Sequence, residues 1–327
     1  MKLMYEADAD AKYLDEKQVA VIGYGAQGRA QALMMHDSGV NVVVGVREKG
    51  ASWELAKSDG LKVATISDAS KSADIIHILI PDEVQAEVYE ADIKKHIVTG
   101  KTLSFSHGFN IIFKKITPPK GVDVIMVAPK APGTEERKIY LEGFGVPALI
   151  AMEKDETGNA KTTALAMAHS MNFTKAGVME CTFAQETYED LYGEQVVLCG
   201  GAVELVKVGF EVLTEAGYPA EMAYFECLHE LKLIVDLMYD GGINHMYNVV
   251  SNTAEYGGRT VGPKIITAET KKAMQEALRR VESGEFTEEY LADFKNGFKN
   301  LNALRAETKV HPIEVRGAEI RKLFEKK

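Results

Sequence analysis

The sequence predicts an α/β fold: a doubly wound parallel sheet in the N-terminal half, followed by an all-helical C-terminal half. Three observations carry this. An apolar run, QVAVI at 18–22, leads straight into GYGAQG and then into a helix-like RAQALMMHDSG. Apolar strand-like runs keep alternating with helical stretches as far as residue 180. Beyond that point strand-like runs cease and long helical patterns take over. Strands alternating with helices build a parallel sheet covered on both faces, whereas an uninterrupted helical run builds a separate packed layer. The expected domains are therefore 1–181 and 182–327.

The chain's 327 residues suit two domains, and 46% hydrophobic residues are enough to build a core in each. A formal net charge of −10 argues against nucleic acid as a partner. Cys181, Cys199 and Cys227 show no C-x-x-C spacing, so neither a zinc cage nor a disulfide framework is expected, and a cytoplasmic location fits. No apolar run reaches the roughly 20 residues of a membrane span. The opening MKLMYEADADAK lacks the apolar core of a signal peptide.

Taken in order, strand 18–22 is followed by Gly23, Gly25 and Gly28 in G-x-G-x-x-G spacing, a helix, and a second strand, NVVVGV at 41–46. This βαβ opening is the Rossmann-type dinucleotide fingerprint. Glycines admit a pyrophosphate close to the backbone, at a helix N-terminus whose N–H groups face it. A tight turn used only for packing is the alternative reading. The end of the second strand discriminates between cofactors. Arg47, Lys49 and Ser52 suit a 2′-phosphate, while Glu48 works against it. NADPH is the expected cofactor, with NADH use also open; a solvated charged loop is the alternative. Strands at 61–65 and 73–80 follow, and Pro81 to Gln85 turn into a helix where such folds place a loop against the cofactor. Further strands are expected at 101–110, 123–133 and 146–152. His107 and Lys130 lie at the carboxyl ends of two of these, where open α/β sheets bind ligands. A packing histidine and a solvated lysine are the plainer readings.

Helices are expected at 182–198, 200–216, 219–239, 241–255, 268–283, 286–299 and 311–325. No Pro/Gly-rich linker separates the halves. GGAVELVKVGFEVL is apolar on more than one face, which suits an intertwined domain or an oligomer interface. The stretch Ala223 to Gly242 reads as a buried helix, with Leu228, Leu231, Leu233, Ile234, Leu237 and Met238 around it. Glu226 and Glu230 share one of its faces, and upstream Asp190 and Glu194 repeat the spacing. Carboxylates in apolar surroundings need a partner or a metal, and oxygen-only donors suit two Mg²⁺ ions. Either pair alone also reads as a solvated face. Glu186, Glu189 and Asp236 are acidic neighbours that spacing does not exclude, and His229 lies on a different face from the glutamates. Ser251, in VSNTAEYGG, either contacts substrate or caps a helix.

Several motifs together resemble the ketol-acid reductoisomerase family, in its short bacterial and archaeal class. They are GYGAQGRAQA, LIPDEVQAEVY, FSHGFNI, MVAPKAPG, TYEDLYGEQVVLCGG, FECLHELKLIVDLMYDGG and SNTAEYG, spread over nearly the whole chain. The resemblance implies that Asp190 bridges two Mg²⁺, that Glu194 completes the first metal's ligands, and that Glu226 and Glu230 surround the second. It implies catalytic roles for His107 and Lys130, with Glu230 chosen as proton relay, and a substrate contact for Ser251. It places the cofactor against Tyr24, Gly25, Ala26 and Gln27, against Arg47 and Ser52, and against Asp82, Glu83, Val84, Gln85 and Gly133; the glycine spacing adds Gly23 and Gly28, and the charge of the loop adds Lys49. It also implies a knotted helical domain and a homodimer, with Glu226, Glu230 and Ser251 reaching the partner's site.

The chain departs from the family's usual pattern at Ala26, Arg29, Gly50, Lys49 and Ala131, none of them an expected metal ligand. The implied reaction is alkyl migration in 2-acetolactate or 2-aceto-2-hydroxybutyrate, then reduction by NAD(P)H, in valine and isoleucine synthesis. Two other readings stand beside it: a metal-independent β-hydroxyacid dehydrogenase and a non-catalytic nicotinamide-binding sensor.

Overall fold

The structure, a computed structural model, describes residues 2–323. The chain forms two compact units that divide between Thr187 and Tyr188. The expected outer ends of the domains, residues 1 and 327, lie outside the described residues.

In the first unit nine strands form one sheet among the described residues. They are β1 (Leu3–Met4), β2 (Gln18–Ile22), β3 (Asn41–Gly45), β4 (Lys62–Ala64), β5 (Ile75–Ile78), β6 (Thr102–Phe105), β7 (Asp123–Pro129), β8 (Ala148–Lys154) and β9 (Val178–Glu180). Their order is β1-β9-β8-β7-β6-β5-β2-β3-β4. From β4 to β7 every pairing is parallel. β8 runs antiparallel to β7, β9 parallel to β8, and β1 antiparallel to β9. The winding reverses at β2, with β3 on one side and β5 on the other, and such switch points open a crevice beyond the strand ends.

Successive side chains of β2 feed two cores, as strand geometry requires. Val19 and Val21 pack with Met34, Met35 and Met167 on one face, and Ala20 and Ile22 with Ala69, Tyr89 and Ile93 on the other. A sheet covered on both faces explains why its strands read as continuous apolar runs. β1 and β9, two and three residues long, are too short to leave such a signal.

The second unit is helical. The helix Phe183–Gly193, which begins before the division, continues into a π-helical turn, Glu194–Leu198. Gly201–Glu215 and Ala220–Tyr224 follow, then a second π-turn, Phe225–His229, and the long Leu231–Val249, interrupted at Gly242 by a φ of 83°. Asn252–Ile265, Ala268–Glu282, Glu285–Lys295, Lys299–Val310 and Pro312–Leu323 complete it. Two of these differ from expectation. Asn252–Ile265 carries three glycines and Pro263, which read as a breaker stretch, yet Ser251 caps it. Lys299–Val310 is mostly polar and shows too narrow an apolar stripe to be seen from sequence. The last residues of the helix expected at 311–325 lie outside the described residues.

The expectation of a buried helix at 223–242 is corrected in part: Ala223 and Tyr224 are buried and Leu228, Leu231, Ile234, Leu237 and Met238 half-buried, but the rest of the stretch is not enclosed. Glu226, Glu230, Leu233 and Tyr239 are exposed in the single chain, Tyr239 to 86%. The unit's own core is small, built on Val206, Phe210, Ala223, Tyr224, Ile313 and Ile320, and it has too few facing residues to cover this helix. No described helix is long and apolar enough to cross a membrane.

Asp123, 1% exposed at the start of β7, accepts hydrogen bonds from the Glu156 and Thr157 amides at 2.8 and 2.9 Å and from Thr157 Oγ1 at 2.6 Å. Asp123→Ala removes the buried acceptor of three part-buried hydrogen bonds to an exposed turn and is expected to cost about 1–3 kcal/mol, read as a lowered urea midpoint.

Candidate functional site

A cleft of about 900 Å³ opens at the switch point of the first unit. The glycine turn forms its floor. Gly23 has a φ of +105°, and a Cβ there would stand 2.6 Å from the Leu79 carbonyl oxygen, so only glycine lets β2 pass this close to the end of β5. Gly25 precedes the helix Ala26–Asp37, whose first N–H groups have no partner within the helix. Gly23, Tyr24, Gly25, Ala26 and Gln27 line the cleft. Gly28 does not; it is buried, and a Cβ there would meet the Gly23 carbonyl oxygen at 2.5 Å. Gly133, expected at the cofactor, packs against the turn's own backbone, where a Cβ would lie 2.6 Å from Ala26 C and 2.7 Å from Gln27 N.

Arg47 and Ser52 line the opposite wall with Gly50 and Ala51; Lys49 is exposed in a left-handed conformation, φ 58°, and is not part of the lining. Beside them sits a contact the spacing does not announce. Asp59 accepts the Tyr24 hydroxyl at 2.8 Å and both Nε and Nη2 of Arg29 at 2.8 and 2.9 Å. This ties the glycine helix to the C-terminal end of the helix Ala51–Ser58. Burial and the Asp59 carboxylate push the Tyr24 phenol well up, so it remains a donor; the Arg29 guanidinium holds Asp59 below the usual carboxylate range.

Asp82, Val84 and Gln85 line the third wall, and Glu83 does not. Gln85, buried, donates to the Ile80 carbonyl at 2.9 Å and to Asp82 Oδ1 at 3.1 Å. Asn110 donates to Gln85 Oε1 at 3.1 Å and to the Asp82 carbonyl at 3.0 Å, so it fixes the loop expected at the cofactor. It lies within the FSHGFNI motif, but the motif alone assigns it no role.

His107 also borders the cleft. Its Nδ1 lies 3.1 Å from Glu186 Oε2, and Lys130 Nζ donates to Glu186 Oε1 at 3.3 Å. One buried carboxylate, 1% exposed, thus gathers the two basic residues read from strand ends. Burial opposes its charge, but the bonds and charges of His107 and Lys130 outweigh burial and hold the carboxyl below its usual range. Glu186, left open among several acidic neighbours by sequence, is singled out by this geometry.

Asp190 stands one turn beyond Glu186 on the helix Phe183–Gly193 and is half-buried. Glu194 is exposed and opens the first π-turn; Glu226 is exposed within the second, and Glu230 follows it directly. Each carboxylate pair therefore stands at a π-helical turn, a local widening that recurs at functional sites. The donors are all carboxylate oxygens, which suits a hard divalent cation. Ser251 accepts the Ala254 amide at 3.2 Å as a helix cap.

Residues 13–177 match the family described as "Acetohydroxy acid isomeroreductase, NADPH-binding domain", and residues 183–326 match "Ketol-acid reductoisomerase, C-terminal domain". A protein of an uncultured archaeon named ketol-acid reductoisomerase (NAD(+)) is 58% identical, with 100% of each chain covered. One from Akkermansia muciniphila named ketol-acid reductoisomerase (NADP(+)) is 57% identical, again over 100% of each. The solved structure of an NADH-preferring ketol-acid reductoisomerase from an uncultured archean superposes with a TM-score of 0.97 at 58% identity, over 100% of both chains.

Three outcomes are expected. Gly133→Ala forces backbone apart behind the glycine turn and should raise KM for reduced nicotinamide several-fold, at a stability cost of about 1–3 kcal/mol. Glu186→Gln should cut turnover at least tenfold, about 1.4 kcal/mol in barrier. Because the folded pKa of Glu186 is lowered, its carboxylate stabilises the fold above the ordinary value of 4.5 and ceases to as pH falls through the lowered one. The stability gap between wild type and Glu186→Gln, measured by urea unfolding, should therefore be widest near neutrality and close in acid.

Proposed function

The chain belongs to the ketol-acid reductoisomerase family, and on that premise we propose how its residues divide the work. It is an NAD(P)H-binding oxidoreductase of branched-chain amino acid synthesis. Its substrates are 2-acetolactate and 2-aceto-2-hydroxybutyrate, each converted by alkyl migration and then hydride reduction. The observation that carries the residue assignment is Glu186, buried and holding both His107 and Lys130. Lys130 supplies positive charge to an anionic substrate, and Glu186 fixes the His107 ring through Nδ1. Glu230 relays the proton released from the tertiary hydroxyl. Ser251 orients the substrate.

Two Mg²⁺ ions held by Asp190, Glu194, Glu226 and Glu230 would supply Lewis-acid activation of the substrate's oxygens. Support for this reading is the carboxylate-only donor set at two π-turns. The exposed glutamates of the helical half also need company. Val212, Tyr239 and Ile243, 60%, 86% and 65% exposed, are among the large apolar side chains of the helical half that a second copy would bury. A homodimer whose Glu226, Glu230 and Ser251 serve the partner's site is the assembly proposed, in a cytoplasmic setting. Arg47 and Ser52 on the cleft wall favour NADPH, with NADH also used. Neither the metal-free dehydrogenase nor the non-catalytic sensor is favoured by any observation.

The test is nicotinamide oxidation with 2-acetolactate, using NADPH and NADH in parallel, with and without Mg²⁺. Turnover that needs the metal and favours NADPH supports the assignment; metal-free turnover removes the carboxylate reading. Asp190→Asn should lower activity more than tenfold, about 1.4 kcal/mol in barrier. Mixed dimers of Asp190→Asn and Glu226→Gln subunits should regain activity, and inactive mixtures would place each site within one chain.

A further inference from the structure

A buried polar chain runs through the first unit behind the glycine turn, and the assignments above leave it unused. It begins at His77 in β5, which has no exposure at all. Burial holds the His77 pKa down at about 4, so the ring is neutral at physiological pH. His77 Nε2 lies 2.7 Å from Gln31 Oε1, an acceptor, so that nitrogen carries the proton. Nδ1 therefore accepts from Ser104 Oγ at 2.9 Å. The Gln31 amide points onward, its Nε2 being 3.4 Å from Ser106 Oγ and 3.4 Å from Glu136 Oε2. Glu136 Oε1 meets Gln27 Nε2 at 3.5 Å, and Gln27 lines the dinucleotide cleft.

Glu136 is 1% exposed, and among the described residues no cation pairs with it. The element packed on its helix, Gly133–Leu141, is the glycine helix Ala26–Asp37. There Arg29 is tied to Asp59 at 2.8 Å, Asp37 to Arg137 at 2.6 Å, and His36 is exposed. On its own helix Glu135 faces Lys138 at 3.5 Å. A carboxylate enclosed in this way, with only amide donors, is expensive to charge. It also stands behind a turn built to receive an anion, where its charge would oppose the pyrophosphate.

Resting on the reading of this cleft as the dinucleotide site, we propose that Glu136 is a positioning residue for the cofactor. It is a neutral carboxylic acid that braces Gln27 and Gln31 behind the glycine turn without setting a negative charge against the pyrophosphate. Burial pushes its pKa up to about 8, against the smaller pull of the two amides, so the acid form prevails at neutral pH. The cofactor binds the protonated form better. Affinity is therefore level below about pH 8 and falls as Glu136 ionises above it. NADH and NADPH share the pyrophosphate, so both respond, which separates this effect from the 2′-phosphate loop.

The experiment is titration of NADH and NADPH, by nicotinamide fluorescence, into the full-length wild type and Glu136→Gln between about pH 6.5 and about pH 9.5. Glutamine keeps one acceptor and one donor and carries no charge, so it mimics the acid form. The wild-type Kd is expected to rise about threefold or more for both dinucleotides, while that of Glu136→Gln stays level and near the wild-type value at neutral pH. A merely structural role would shift the variant's Kd equally at every pH. A level wild-type curve overturns the proposal even if the variant does not fold, and parallel rises in both proteins overturn it by pointing to another group. Absence of binding to wild type at neutral pH would instead overturn the reading of the cleft, and this proposal with it.

Discussion

The first unit depends on one steric constraint, the approach of the glycine turn to the backbone around it. Gly23 presses on the Leu79 carbonyl, Gly28 on Gly23 itself, and Gly133 on the Ala26 and Gln27 backbone. Each contact is closer than any Cβ allows, and together they bring β2, β5 and two helices to one point. The crevice at the switch point opens there, with helix N–H groups facing it. Everything else at the cleft is arranged to hold that point. Asp59 draws Tyr24 and Arg29 to one wall, and Asn110 with Gln85 stiffens the other.

Charge at the two buried carboxyls is managed in opposite ways. Glu186 is equally enclosed but gathers His107 and Lys130, and its charge is held. Glu136 gathers only amides, and its charge is refused. Burial raises both; what differs is the company each keeps. The first suits the place proposed for it beside an anionic substrate, and the second the place proposed for it behind the pyrophosphate. The same enclosure thus produces a charged anchor in one place and an uncharged brace in another.

The helical half follows a different logic. Among the described residues its main apolar cluster holds six buried residues with partly buried neighbours, while valines, tyrosines and isoleucines along its helices stand in solvent. Such a surface is what the proposed homodimer would bury. The π-turns at Glu194–Leu198 and Phe225–His229 interrupt the helices where the carboxylates stand. Such turns locally widen a helix and recur at functional sites.

The sequence by itself determined the strands from 18 to 152, the glycine turn and the onset of the helical half, because those features are local. A buried parallel strand must be apolar throughout, a close turn must be glycine, and a helix must repeat its face. It also marked His107, Lys130 and the four carboxylates, since spacing and strand ends carry that information. Only the tertiary structure decided that Glu186 unites His107 with Lys130 and that Asp59 and Asn110 pin the cleft walls. It likewise decided that Gly133 braces the turn instead of facing the cleft, and that Glu226 and Glu230 are exposed in the single chain. These depend on partners that lie far apart in the chain, and no local pattern records which distant side chain a buried polar group meets.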